Sequence, residues 1–496
     1  MTEPRPFTSK HYLAYAVLLL IFGAGIWLVL LTGSHLHSQR AVSALPAESS
    51  AVSSAPASTD PSQPESHRQK SIFRDNLRNP LTILLLQLIV IIVIGRLAGK
   101  LFQTIGQPPV LGEIVAGIVL GPSLLGWLSP AAMTFLFPAS SMVTLRLLSQ
   151  IGVVLFMFIV GVELDVSNLR QRAHTAIMVS HASIVMPFFL GVALSLLLFD
   201  SLAPITTSFI AFALFLGIAM SVTAFPVLAR ILADRRMSMT HLGSVALTCA
   251  AVDDVTAWCM LAFVVAVAQS GSFAASVLTI VLVVVFICVM LFMVRPLLAR
   301  LTASFFKDEL PESGEKESRG LVAGVLVFVL GCALLTEAIG IHSLFGAFLA
   351  GVVMPANAGL RVLLKERLET ISRVALLPLF FAFTGLRMQI RLINDWESWV
   401  ICAAIVAVAI AGKLGAGMLA AKWTGMNWRD SFSLGVLMNT RGLVELIVLN
   451  IGYDLGILSA RAFAMLVLMA LVTTFMTGPL LSLVKSERGR EPLVRA

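Results

Sequence analysis

A chain of 496 residues that is 58% hydrophobic and only 12% charged has the balance of a protein dissolved in lipid, which excludes a soluble globular domain. Its formal net charge of +8 is spread over short loops between apolar runs, with no basic cluster interleaved with aromatics, so a nucleic-acid surface is excluded too. Five cysteines (Cys249, Cys259, Cys288, Cys332, Cys402) each stand alone in an apolar run, without metal-ligand spacing or an extracellular pairing pattern, and read as small buried residues.

Residues 1–33 hold an apolar run from about Tyr12 to Leu31, preceded by Arg5 and Lys10. It exceeds the roughly 7–15 residues of a signal-peptide core and no clean cleavage site follows, so it predicts an uncleaved transmembrane anchor, with a cleaved signal as the alternative. Residues 34–79 are rich in Ser, Ala and Pro and predict a disordered linker, because they cannot bury enough apolar surface to order themselves. Thirteen apolar segments follow, at about 81–101, 109–127, 147–165, 175–199, 206–231, 241–269, 273–299, 320–339, 341–356, 374–391, 398–421, 431–453 and 462–484. Positive residues gather in alternate loops, among them Arg96 and Lys100, Arg230, Arg235 and Arg236, Arg361 and Lys365, and Lys422 and Arg429. The positive-inside rule makes those loops cytoplasmic and predicts fourteen spans of a cell inner membrane, with both termini, including a short tail at 486–496, on the cytoplasmic side.

The segments repeat. Residues 111–120 match 345–354 at an offset of 234, residues 155–161 match 379–385 at 224, and residues 222–232 match 439–449 at 217. The matched segments are always seven spans apart, an odd number, so the halves run in opposite directions. That predicts an all-α membrane protein built as an inverted-topology repeat of six helices each: 80–270, a linking helix and loop at 271–318, then 319–485. In such folds the site lies near the midplane, where interrupted helices meet. The interruptions are legible: Ser221, Thr223 and Pro226 fall in mid-segment in one half, and Asn439, Thr440 and Gly442 in the other, where freed carbonyls would serve a cation.

The charge on this scaffold is asymmetric. Asp253 and Asp254 are adjacent in an apolar segment, while the repeat pairs them with Ala470 and Leu471. An acid at bilayer centre costs about 2.5–3.5 kcal/mol even on the lenient insertion scale, so two must face protein or water and bind something. Neighbours on a helix project about 100° apart, so one can face Lys413, the third intramembrane charge, while the other faces the path of a transported monovalent cation. Protons and small cations then compete for the same oxygens, and exchange follows if the site crosses only when loaded.

Several stretches resemble the monovalent cation/proton antiporter-2 family, on the fold of bacterial sodium/proton antiporters with two crossed interrupted helices. They are Gln-Pro-Pro-Val-Leu-Gly-Glu from Gln107, Thr-Ala-Phe-Pro-Val-Leu-Ala-Arg from Thr223, Ala-Val-Asp-Asp-Val-Thr-Ala-Trp from Ala251 and Asn-Thr-Arg-Gly-Leu-Val-Glu from Asn439, within a resemblance covering about residues 80–485. It implies that Asp254 is the ion- and proton-binding aspartate, that Asp253 sits where electrogenic relatives carry Asp and electroneutral ones Asn, and that Lys413 is the lysine of the electrogenic type, moving two protons per cation. It further implies Na⁺ or K⁺ and H⁺ as transported ions, a lipid bilayer as surroundings, a homodimer, and neither an enzyme nor a cofactor.

Supporting charges are Arg441 and Glu445, four apart on one segment, which satisfy each other or Arg230. Glu113 and Glu163 near helix ends and the single histidines His181 and His342 read as structural. A cation channel and a sodium-coupled solute symporter on a related fold remain as alternatives. An intramembrane aspartyl protease is excluded, since its two acids would need separate helices.

Overall fold

The computed structural model describes residues 9–36, 79–163, 173–238, 240–269, 273–305, 315–355, 358–369 and 372–484; most of the expected linker and the tail lie outside them. Among the described residues the chain is helical and no strand occurs. The principal helices are α1 (Ser9–Leu36), α2 (Pro80–Thr104), α3 (Pro109–Leu120), α4 (Ala139–Glu163), α5 (Ala173–Leu202), α6 (Phe209–Ser221), α7 (Phe225–Asp234) and α8 (His241–Gln269). After them come α9 (Phe273–Val289, prolonged to Phe305 through a π turn), α10 (Glu315–Ile339), α11 (Ser343–Val352), α12 (Leu377–Arg387), α13 (Trp396–Trp423), α14 (Trp428–Met438), α15 (Leu443–Asp454) and α16 (Ala460–Leu483).

Helix starts follow local chemistry. Asn79, Asp395, Asn427 and Ser459 each accept a backbone N–H at the head of α2, α13, α14 and α16, satisfying donors that the first turn leaves open. Along α2 only Gln87, Ile91, Gly95 and Gly99 are buried, a strict spacing of four that turns one stripe to the protein, while Leu85, Ile89, Val93, Leu97 and Leu101 are left exposed for lipid.

Twelve helices among the described residues are long and apolar enough to cross a membrane, thirteen when α14 and α15, bent by 40° at their break, count as one span. The one expected span left over, the ninth core segment at 341–356, is instead the ten-residue helix α11. Ten residues rise only about 15 Å, half a hydrocarbon core, and the sequence hid this because apolar residues continue past the point where the helix stops.

The helices form two groups by contact: α2, α3, α4, α10, α11 and α12 in one, and α5 through α8 with α13 through α16 in the other. In the first group the residues aligned by the repeat take exchanged places. A Cβ at Gly117 of α3 would lie 2.1 Å from the Ala382 carbonyl of α12, and one at Gly351 of α11 would lie 2.2 Å from the Phe158 carbonyl of α4. Gly385 meets the Ile114 carbonyl at 2.3 Å and Gly161 the Phe348 carbonyl at 2.2 Å. Each pair is the other shifted by the offsets read in the sequence, and each is a close backbone approach that only glycine permits. The N-terminal helix α1 lies on the second group, with the Phe22 and Phe189 rings 5.3 Å apart and a Cβ at Gly33 falling 2.0 Å from the Phe209 ring.

Gly161→Ala and Gly385→Ala should therefore each lower the thermal unfolding temperature of the purified protein, at a cost of about 1–3 kcal/mol from overpacking. Gly331→Ala, whose added methyl would meet nothing within 4 Å, should be neutral or stabilising. Equal tolerance at all three positions would contradict the packing described.

Candidate ion-binding site

The two interrupted helices cross at their breaks. Residues 222–224 separate α6 from α7 and residues 439–442 separate α14 from α15. The Ala224 N–H donates to the Thr440 carbonyl at 3.0 Å and Thr223 Oγ1 to the Met438 carbonyl at 3.0 Å, so each break satisfies part of the other's backbone. Thr440 also lies 3.5 Å from Thr477 of α16 through their hydroxyls. A Cβ at Gly442 would sit 2.6 Å from Val227 Cγ2, so the crossing needs a small residue there. Pro226 differs from its expected role: it stands in the first turn of α7, where a missing N–H costs nothing, and starts a helix instead of kinking one.

The α6 C-terminus would present bare carbonyls and the negative end of its dipole to a low-dielectric interior. Arg441 Nη1 and Nη2 donate to the Ala219 and Met220 carbonyls, both at 2.8 Å, and Lys413 Nζ donates to the Ser221 carbonyl. Carbonyls expected to be free for a cation are thus taken by two cationic side chains of the chain itself. Arg441 Nη1 also donates to Glu445 Oε2 at 3.2 Å, and the Arg441 backbone exchanges hydrogen bonds of 3.0 and 2.8 Å with the Thr474 hydroxyl. Arg441, Glu445 and Lys413 are fully buried, so only partners of this kind make their charges tolerable.

The adjacent acids of α8 are both buried and are unequal. Asp253 Oδ2 accepts from Lys413 Nζ at 3.0 Å, lies 2.6 Å from Thr223 Oγ1, whose one proton it shares with the Met438 carbonyl, and 3.4 Å from Ser183 Oγ, which donates to the Ser180 carbonyl at 2.8 Å, while Ser180 Oγ donates to Oδ1. Among the described residues neither Asp254 oxygen accepts a side-chain hydrogen bond, and the donor turned toward it is the backbone N–H of Phe225 at the head of α7. A carboxylate held at that depth without side-chain donors has the oxygens a proton or a bare cation requires.

The structure brings Asp253, Asp254, Lys413, Ser221, Thr223, Asn439, Thr440, Gly442, Arg441 and Glu445 to one crossing. Arg230 stands apart: half exposed, it pairs with Asp234 at 3.0 Å and supports neither Arg441 nor Glu445. The 217-residue offset aligned the start of α7 with α15 but said nothing of which way an arginine one turn later points. Ser180 and Ser183 went unread. Their signal was two hydroxyls three residues apart in an apolar helix, facing the same way.

The sodium/hydrogen exchanger transmembrane model matches residues 71–484. The Na⁺/H⁺ antiporter NhaS4 of Synechocystis is 45% identical over 405 residues, covering 81% of this chain and 97% of that protein. Cation/H⁺ antiporter 17 of Arabidopsis thaliana is 40% identical over 82% of this chain and 48% of its own length, and K⁺/H⁺ antiporter 1 of Saccharomyces cerevisiae is 34% identical over 84% and 48%. The chain thus spans about half the length of the plant and yeast relatives. Among solved structures, the sodium proton antiporter MjNhaP1 of Methanocaldococcus jannaschii superposes with a TM-score of 0.59 at 13% identity, covering 83% of this chain and all of that one, which establishes a shared fold.

Removing one partner of a buried ion pair strands the other charge, at about 3–5 kcal/mol. Lys413→Ala should lower thermal stability by that order, and Asp253→Asn combined with Lys413→Met should recover most of it. A Lys413→Ala protein as stable as the parent would show that the pair is not what holds Asp253 in place.

Proposed function

The chain belongs to the sodium/hydrogen exchanger family, and from that premise we propose that it is a secondary transporter exchanging Na⁺ or K⁺ for protons by alternating access, electrogenically, with Asp254 as the group that carries either ion. One observation carries the reading: of two adjacent buried acids, Asp253 is held by a lysine and by serine and threonine hydroxyls, while among the described residues Asp254 accepts no side-chain hydrogen bond on either oxygen. The exchanged contacts of the aligned glycines support an inverted repeat, the scaffold on which such a site is reached from either side in turn.

Each residue then has a task. Asp254 binds the proton or the cation, and because a bare carboxylate is expensive at that depth, it crosses only when loaded. Asp253 and Lys413 supply the second proton of the cycle, which makes the net movement one charge per cation. Thr223, Ser180 and Ser183 hold Asp253 whether or not Lys413 is engaged. Arg441 fixes the α6 carbonyls so that the two breaks keep their crossing while the second helix group moves. The chain works in a cell inner membrane with the Arg- and Lys-rich loops inside, as a homodimer. A sodium-coupled symporter or a channel would use the same acid without releasing protons.

In everted vesicles with an imposed pH gradient, addition of Na⁺, K⁺ or Li⁺ should release lumenal protons, and Asp254→Asn should abolish the response. A persistent response in that variant would sink the assignment. Since one charge crossing 100 mV is worth about 2.3 kcal/mol, exchange should also respond to membrane potential. A Lys413→Ala chain that still exchanges should have lost that response; rates indifferent to potential in the parent would remove Asp253 and Lys413 from the proton count.

A further inference from the structure

On the side away from the Arg- and Lys-rich loops, a cavity of about 260 Å³ opens between the two helix groups. Arg146 and Gln150 of α4 and Glu337 of α10 line it from the first group, and Val265 of α8 and Asp454 of α15 from the second. Val265 is eleven residues past Asp254 on α8, about 16 Å along the helix, and is buried, so the cavity sits over the outward half of the helix that carries the site.

The two groups are tied at this cavity by charge. Asp454 is the last residue of α15, and its Oδ1 accepts from Arg387 Nη2, at the end of α12, and lies 3.5 Å from Arg146 Nη1 of α4. Arg387 Nη1 also donates to Asn450 Oδ1 at 2.8 Å, Asn450 Nδ2 donates to Thr384 Oγ1 at 2.8 Å, and the Arg387 guanidinium lies 4.5 Å over the Tyr453 ring. Two arginines of one group thus grip one carboxylate of the other, beside the cavity and on the helix that follows the second break. The exchange chemistry at Asp254 uses none of these residues.

We propose that Asp454, Arg387 and Arg146 form an ionic latch that closes the outer end of the ion path, formed while the site faces inward and released when it faces outward. The proposal rests on the alternating-access reading. Arg387 and Asp454 are mostly shielded, at 13% and 21% side-chain exposure, so the pairing outweighs the sub-kilocalorie value of an exposed pair while remaining weak enough to break each cycle. Among the described residues, the ion pairs that join the cavity walls at that end are those of Asp454 with Arg387 and Arg146.

The test uses the full chain with its five native cysteines replaced and Val265→Cys as reporter, in right-side-out vesicles, labelled with a membrane-impermeant maleimide in the absence of gradients. The parent should label slowly, and Asp454→Asn and Arg387→Gln should each label at least tenfold faster. Arg387→Lys, which keeps the charge, should stay near the parent rate. Arg461→Gln, which breaks the peripheral Arg461–Asp395 pair of 3.6 Å, should not change it. Parent-like labelling in both Asp454→Asn and Arg387→Gln overturns the latch, and so does equal acceleration by Arg461→Gln. The labelling needs no transport. Faster labelling in a chain that moves no protons would sink the exchange reading and keep the latch, while proton exchange with Val265→Cys shielded in every variant would do the reverse.

Discussion

One buried ammonium sets the geometry of the site. Lys413 Nζ bonds the Ser221 carbonyl and Asp253 Oδ2 together, so a single nitrogen joins α13, the broken end of α6 and the acid-bearing α8. A lysine with no water around it holds its charge only against oxygens, and at this depth those come from a helix that has been cut and an acid that has been buried. The cut in α6 would otherwise leave a negative dipole end in a medium that cannot solvate it. Arg441 takes the two carbonyls that Lys413 does not reach, so both breaks and both cations form one balanced arrangement.

That balance is what makes the neighbouring acid different. The side-chain donors at the crossing have gone to Asp253, and Asp254, one residue on and about 100° round the helix, accepts none from a side chain among the described residues. The chain uses its hydroxyls and its lysine to hold one carboxylate still and turns none of them to the second. The 217-residue alignment places Ala470 and Leu471 opposite the two acids, and among the described residues the crossing holds one adjacent acid pair.

How much of this the sequence carries differs by residue. The acids, the lysine and both breaks were legible because bilayer physics makes charge and helix interruption costly, and costly residues stand out against leucine and valine. The repeat was legible for the same reason that Gly117, Gly161, Gly351 and Gly385 are glycines: each lets two backbones touch, and close approach fixes residue type. Less visible was anything decided by direction. Arg230 turns to Asp234 and Arg441 turns to α6, the first lying past its break and the second within its own. Ser180 and Ser183 looked like ordinary small residues, and α11 stops after ten residues, three before Pro355, within a run whose apolar length alone suggested a full span. Carbonyls that seemed destined for a cation had already been claimed by side chains more than 190 residues away.

The central claim is that cation and proton share the oxygens of Asp254. It is tested most directly by adding Na⁺, K⁺ or Li⁺ to the purified protein in detergent at very low buffer and following both heat and pH. The account predicts that a transported cation binds with release of protons to the medium and that Asp254→Asn removes binding and release together. Binding in the parent with no proton released, or unchanged release from Asp254→Asn, would contradict it.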